Sequence, residues 1–105
     1  MSFTSMGLIY LGTGTEDPAV HRAVIEHGGL RTTIVAVPNV ETVVDVAVEM
    51  AEGDTQMIEL CGAFGPVGTA RVIDAVGPHI PVGAVTYGME SVHAVAELFP
   101  QAATV

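Results

Sequence analysis

Met6-Gly-Leu-Ile-Tyr-Leu11 runs apolar without a break and stops at Gly12-Thr-Gly14. An amphipathic helix interleaves polar positions every three or four residues, and a half-exposed strand every second one. An unbroken apolar run of this length suits a strand covered on both faces, as in a parallel sheet. Thr32-Thr-Ile-Val-Ala-Val37, Gln56-Met-Ile-Glu-Leu-Cys61 and Ile80-Pro-Val-Gly-Ala-Val-Thr-Tyr87 read as three further strands.

Segments of helical period lie between them. Asp17-Pro18 reads as an N-cap followed by proline at the first helical position. Val20, Ala23, Val24 and His27 then share a face, and Gly28-Gly29 ends that helix. Asn39 caps a second helix running to about Met50. Its inner stripe is Val43, Val44, Ala47 and Met50, opposite a solvated acidic stripe of Glu41, Asp45, Glu49 and Glu52. Pro66 opens a third helix through Ala75. Gly88 leads into a fourth, with Val92, Val95, Ala96 and Phe99 inward and Pro100 as its stop.

Four βα units in succession imply an α/β fold with a parallel four-stranded sheet and right-handed crossovers. The expected closure is an open, flavodoxin-like sheet in the order 2-1-3-4, with helices on both faces. The alternative is half of a (βα)8 barrel completed by a second copy. No linker or low-complexity stretch interrupts residues 1–105, so a single α/β domain is expected.

Composition narrows the partners. Of 105 residues, 50% are hydrophobic and 14% charged. Three arginines, no lysine and twelve carboxylates set the formal charge at −9. Counterion release on nucleic acid needs several cations on one face, so nucleic acid is excluded as a partner, and anionic membrane surfaces are disfavoured on the same ground. Without lysine there is neither a Schiff-base lysine nor a P-loop lysine. One cysteine makes no internal disulfide and no Cys-rich zinc site. The sequence shows no basic leader and no membrane-length apolar run, which makes a cytoplasmic location the expectation. The apolar excess over what a small domain hides points to a homodimer.

Sites on parallel sheets form at the carboxyl ends of the strands. That rule selects Thr13 after strand one, Asn39 after strand two, Glu59, Cys61 and Phe64 around the end of strand three, and Tyr87 after strand four. It sets aside Arg31, His27 and His79 at the other end. Glu59 falls between Ile58 and Leu60, where a buried carboxylate tends to hold its proton, the state a general acid needs. Cys61 follows on the same face, just ahead of a helix start. His21 lies early in the expected first helix, at the same end.

Gly62-Ala-Phe-Gly65-Pro66-Val-Gly68 forms a concavity of backbone N–H groups at a helix start, with Arg71 one turn further on, suited to an anionic substrate oxygen. Gly12-Thr-Gly14 begins like a dinucleotide loop but lacks the third glycine, and Glu16 and Asp17 occupy the place of the pyrophosphate. No HExxH, CxxC or histidine cluster is present. Neither a metal nor another cofactor is expected.

Ile58-Glu-Leu-Cys-Gly62, Phe64-Gly-Pro66 and Ile80-Pro-Val-Gly83, with His21-Arg22-Ala-Val-Ile25, make the chain resemble a family of bacterial proteins about 100 residues long and of unknown function. The resemblance spans nearly the whole chain. It implies a compact αβ fold and supplies no reaction.

The residues themselves lead to a small cofactor-independent enzyme of the lyase, isomerase or cyclase type, acting on a small, largely apolar metabolite. In that reading Glu59, with Cys61 and His21, carries the acid/base chemistry. Asn39, Thr13, Tyr87, Arg71 and the Gly62–Gly65 turn hold the substrate, and Phe64 covers it. The alternatives are a non-catalytic small-molecule-binding or accessory protein, and a structural oligomer partner.

Overall fold

A computed structural model describes residues 2–99. Five strands form one mixed sheet. They are β1 (Ser5–Leu11), β2 (Arg22–His27), β3 (Leu30–Val37), β4 (Met57–Leu60) and β5 (Val82–Ala84), in the order β2-β3-β1-β4-β5. β3, β1, β4 and β5 are mutually parallel and reproduce the order 2-1-3-4 expected of the four apolar runs. The half-barrel alternative is not adopted.

The expected first helix does not form. Its residues make a turn at Pro18–Val20 and then β2, which pairs antiparallel with β3 and extends the sheet by one edge strand. The sheet is therefore mixed, and the purely parallel four-stranded expectation is corrected. Gly28 and Gly29 carry φ of 63° and 82°, the two consecutive left-handed residues of a tight hairpin turn, with His27 opposite Leu30. The glycine pair read as a helix stop is a hairpin. Val24 and Ile25, whose branched side chains favour strands, go with it.

Two helices pack on the sheet, α1 (Val40–Glu52) and α2 (Gly65–Val76). Asn39 caps α1, its Oδ1 accepting from the Thr42 N–H at 2.9 Å and from the Thr42 hydroxyl at 2.6 Å. The inner stripe of α1 is Val43, Val46, Ala47 and Met50, with Val44 only half-buried. These residues meet Ile9, Val35, Val37, Ile58 and Leu60 from the sheet and Val72 from α2 in one core. Gly7 and Gly68 let the layers close. A Cβ at Gly7 would strike the Met50 side chain, and one at Gly68 would come within 3.1 Å of Phe64 Cβ.

Both helices lie on one face of the sheet, where they touch each other. This corrects the expectation of helices on both faces, and connection handedness explains it. In a sheet of this order, a right-handed crossover from β1 to β3 would cover the second face. Here that connection is used up by the in-plane strand β2. Among the described residues, no helix covers the second face.

The last helix, α3 (Val92–Leu98), follows a single 3-10 turn at Met89–Ser91 and is short, with no buried residue. The expected stop at Pro100 lies outside the described residues. Among the described residues, no helix is long and apolar enough to cross a membrane.

Candidate functional site

The strand ends fan apart where the chain turns from β4 into α2. Cys61 leads into a 3-10 turn at Gly62–Phe64, and Gly65, at φ 66°, starts α2 with Pro66 in its first turn. β5 runs alongside, and its outgoing chain folds back over Gly62. A Cβ at Gly62 would lie 2.9 Å from the Val85 carbonyl oxygen and 3.1 Å from the Tyr87 ring, so only glycine fits beneath that strand.

A cavity of about 590 Å3, open to solvent, lies between α2 and this outgoing chain. Its helix wall is Pro66, Thr69, Ala70 and Ile73, and its other wall is Ala84, Val85, Thr86 and Tyr87. Gly62 and Gly65 line it at the turn. Ile73, Val85 and Tyr87 are each about half exposed or more, so the walls are apolar and unfilled. The Thr69 hydroxyl donates to the Gly65 carbonyl at 2.7 Å, tying the helix wall to the turn. Hydroxyls of Thr69, Thr86 and Tyr87 are the polar side-chain groups of the lining. It contains neither carboxylate nor imidazole.

Of the residues selected from sequence, the structure brings Gly62, Gly65 and Tyr87 together here. It places the others elsewhere. Glu59 is exposed, not buried between its apolar neighbours. Ile58 and Leu60 point into the core, and Glu59 points to the helix-free face beside Leu8. Strand alternation sends adjacent residues to opposite faces, and the missing helix leaves that face open. Phe64 is a core residue, 5% exposed, and covers nothing outside.

Cys61 is half-buried, its sulfur accepting the Leu11 N–H at 3.3 Å. His21 sits in the loop before β2, where its Nδ1 accepts the Asp17 N–H at 2.8 Å. The Asn39 side chain is engaged in capping α1, and Arg71 is exposed on α2 away from the cavity lining. Thr13 belongs to the loop after β1.

After β1, the Gly12–Thr15 loop closes on a carboxylate of its own. Glu16 Oε2 accepts from Thr13 N–H at 2.8 Å and the Thr13 hydroxyl at 2.9 Å. Oε1 accepts from the N–H groups of Gly14 at 2.9 Å and Thr15 at 3.1 Å. The Thr13 and Gly14 N–H groups hold the Glu16 carboxyl at about 2, well below its ordinary 4.5. A Cβ at Gly12 would collide with that carboxylate. The amides a pyrophosphate would use are thus engaged by Glu16.

At the opposite end of the sheet, a depression of about 500 Å3 includes the β2–β3 turn and the Arg31–Asp54 ion pair. It lies at the amino ends of the parallel strands. Among the described residues, no three His, Cys, Asp or Glu side chains are grouped to hold a metal ion.

Thr69, Ala70 and Ile73 escape a reading based on the core stripe of α2, but they leave a signal. Residues 66, 69, 70 and 73 follow the i, i+3, i+4, i+7 spacing of a helix face. The core-facing side of α2 is Gly68 and Val72. That spacing is a second stripe of small and apolar residues on α2, beyond the one the core uses.

Fold and cavity together define an α/β protein with a mixed five-stranded sheet and an apolar cleft at the carboxyl ends of its parallel strands. The chain belongs to the family of unknown function DUF6506, whose model matches residues 4–100. Comparison with curated proteins and with solved structures yields no significant match.

Proposed function

We propose that this protein binds a small, largely apolar organic molecule in the cleft between α2 and the chain leaving β5. The observation that carries the reading is the cleft itself. It has the volume of ordinary small-molecule sites and apolar walls on both sides, and Gly62 admits the strand that closes it. Its position at the carboxyl ends of β4 and β5 is where sheets of this kind take ligands. The hydroxyls of Thr86 and Tyr87 supply orientation by donating to a carbonyl, hydroxyl or ether oxygen on the ligand, while Thr69, whose hydrogen goes to Gly65, accepts from a ligand hydroxyl.

The cleft lining favours binding over proton transfer. Enzymatic lyase, isomerase or cyclase chemistry by Glu59 would need that carboxylate at the bound molecule, and it lies on the other face of the sheet. One titration separates the two readings. Candidate apolar ketones, phenols and carboxylates are added to the protein, amide shifts are followed by NMR, and the small molecule is followed by mass spectrometry. Binding predicts shifts centred on Thr69, Ile73 and Val85 with the ligand mass unchanged. Shifts elsewhere, or none, overturn the cleft assignment, and conversion of the ligand moves the reading back to an enzyme.

A further inference from the structure

The helix-free face of the sheet is an unfinished surface. Registers place Met6, Leu8 and Tyr10 of β1, Thr32 and Ile34 of β3, and Ala23 and Ile25 of β2 side by side on it. Leu8 and Ile34, which the strand pattern would bury under a helix, are only half-buried, and Tyr10 and Ile25 are exposed. The chain also carries an apolar element without a support. On α3, Val92, Val95 and Leu98 fall on one side, opposite His93 and Glu97, with Phe99 just past the helix end; Val95 is half-buried, and Val92, Leu98 and Phe99 are exposed. His93 Nε2 and Glu97 Oε1 pair at 3.0 Å on the polar side.

We propose that the occupant of this face is a second copy of the chain, in a two-fold dimer in which α3 of each copy seats on the helix-free face of the other. Two observations select it. The first is stoichiometry. Among the described residues, each chain offers one sheet face without a helix and one apolar helix with no buried residue, so an isologous pair satisfies both at once.

The second is charge. The chain has a formal charge of −9, and the outward carboxylates of α1 lie on the helix side of the sheet. The β2-β3-β1 part of the open face carries none, and Glu59 on β4 stands at its margin. Two such anions approach each other with least repulsion through this face, whereas a basic partner would be drawn to the other one.

Area sets a condition on the pair. The three strands β2, β3 and β1, about 4.8 Å apart and six to eight residues long, present a flat footprint of roughly 300 Å2 before side-chain relief. That alone is small beside the ~800 Å2 per partner of a stable interface. The reciprocal seating of α3 adds the area that the face lacks.

Light scattering after size exclusion tests this on the full chain at micromolar concentration. The wild type is expected at twice the 10.8 kDa chain mass. Ile25→Glu on the face and Leu98→Glu on α3 alter side chains that are already 58% and 75% exposed within one chain, so neither harms the monomer fold. Each is expected to weaken the dimer by about a hundredfold, because a two-fold pair carries the change twice. A monomeric wild type overturns the proposal. So does a dimer that tolerates either variant, since face and arm must both be engaged. Unchanged circular dichroism in both variants ties any loss to the interface and not to unfolding.

Discussion

Ile73→Ala is the sharpest probe of the cleft. Ile73 is 49% exposed, so its inner half packs on the protein and its outer half is left for a ligand. Full burial of a side chain of this size is worth about 1.5–3 kcal/mol, so covering the open half contributes about 0.7–1.5 kcal/mol to binding. Trimming it to alanine removes most of that, a loss of about three- to twelve-fold in affinity. The other half appears as a fold destabilisation of similar size, well short of unfolding. The assay is an NMR titration with 1-anilinonaphthalene-8-sulfonate, reading Kd from the amides of Thr69 and Val85. Val67→Ala is the control, because Val67 is exposed on the same helix outside the cleft, and its Kd should stay within about twofold. Equal Kd values for wild type and Ile73→Ala, or an equal loss in Val67→Ala, would mean that Ile73 does not form a wall of the binding site.

The remaining predictions concern the parts that frame the cleft. Glu59→Gln should leave cleft affinity unchanged, since residue 59 faces the other side of the sheet; a tenfold loss in the same titration would contradict that placement. Glu16 should titrate at about 2 by carbon-detected NMR. Its folded value lies below the ordinary one, so its contribution to stability is complete above 4.5 and fades as pH falls toward 2; a midpoint near 4.5 would mean the loop does not hold it. Gly29→Val forces a branched residue to φ 82° and should lower stability by about 1–2 kcal/mol in urea denaturation, while the same change at exposed Ala19 should not. Asn39→Ala should cost about 1 kcal/mol through the lost cap of α1, read the same way.

Much of the fold was legible because strand burial leaves a direct mark on composition. The four parallel strands and both core helices follow from apolar runs, from Asn39 as a cap and from Pro66 at a helix start, whereas the strand order, which matches the favoured 2-1-3-4, depends on pairings that no local run contains. Residues 17–29 were not legible in the same way. Val20, Ala23, Val24 and His27 fit a helical face, while Ala23, Ile25 and His27 fit one side of a strand. The choice between them rests on whether β3 has a free edge to pair with, which no local pattern contains. Glu59 was misplaced for the same reason. Its apolar neighbours announce burial of one face, and burial of the other depends on a helix that the chain does not form.

Hydrophobic periodicity is a local property, so the residues alone mark the strands and core helices that bury themselves, and the strand direction they imply marks the end of the sheet proposed to take a ligand. Tertiary packing sets which residues share the cleft. Thr69, Ala70 and Ile73 meet Val85 and Tyr87 across a gap set by the packing of α2 beside β5, between residues about fifteen positions apart. It also leaves one sheet face without a helix of its own chain among the described residues, because the right-handed crossover that would cover it is replaced by a hairpin lying in the plane of the sheet.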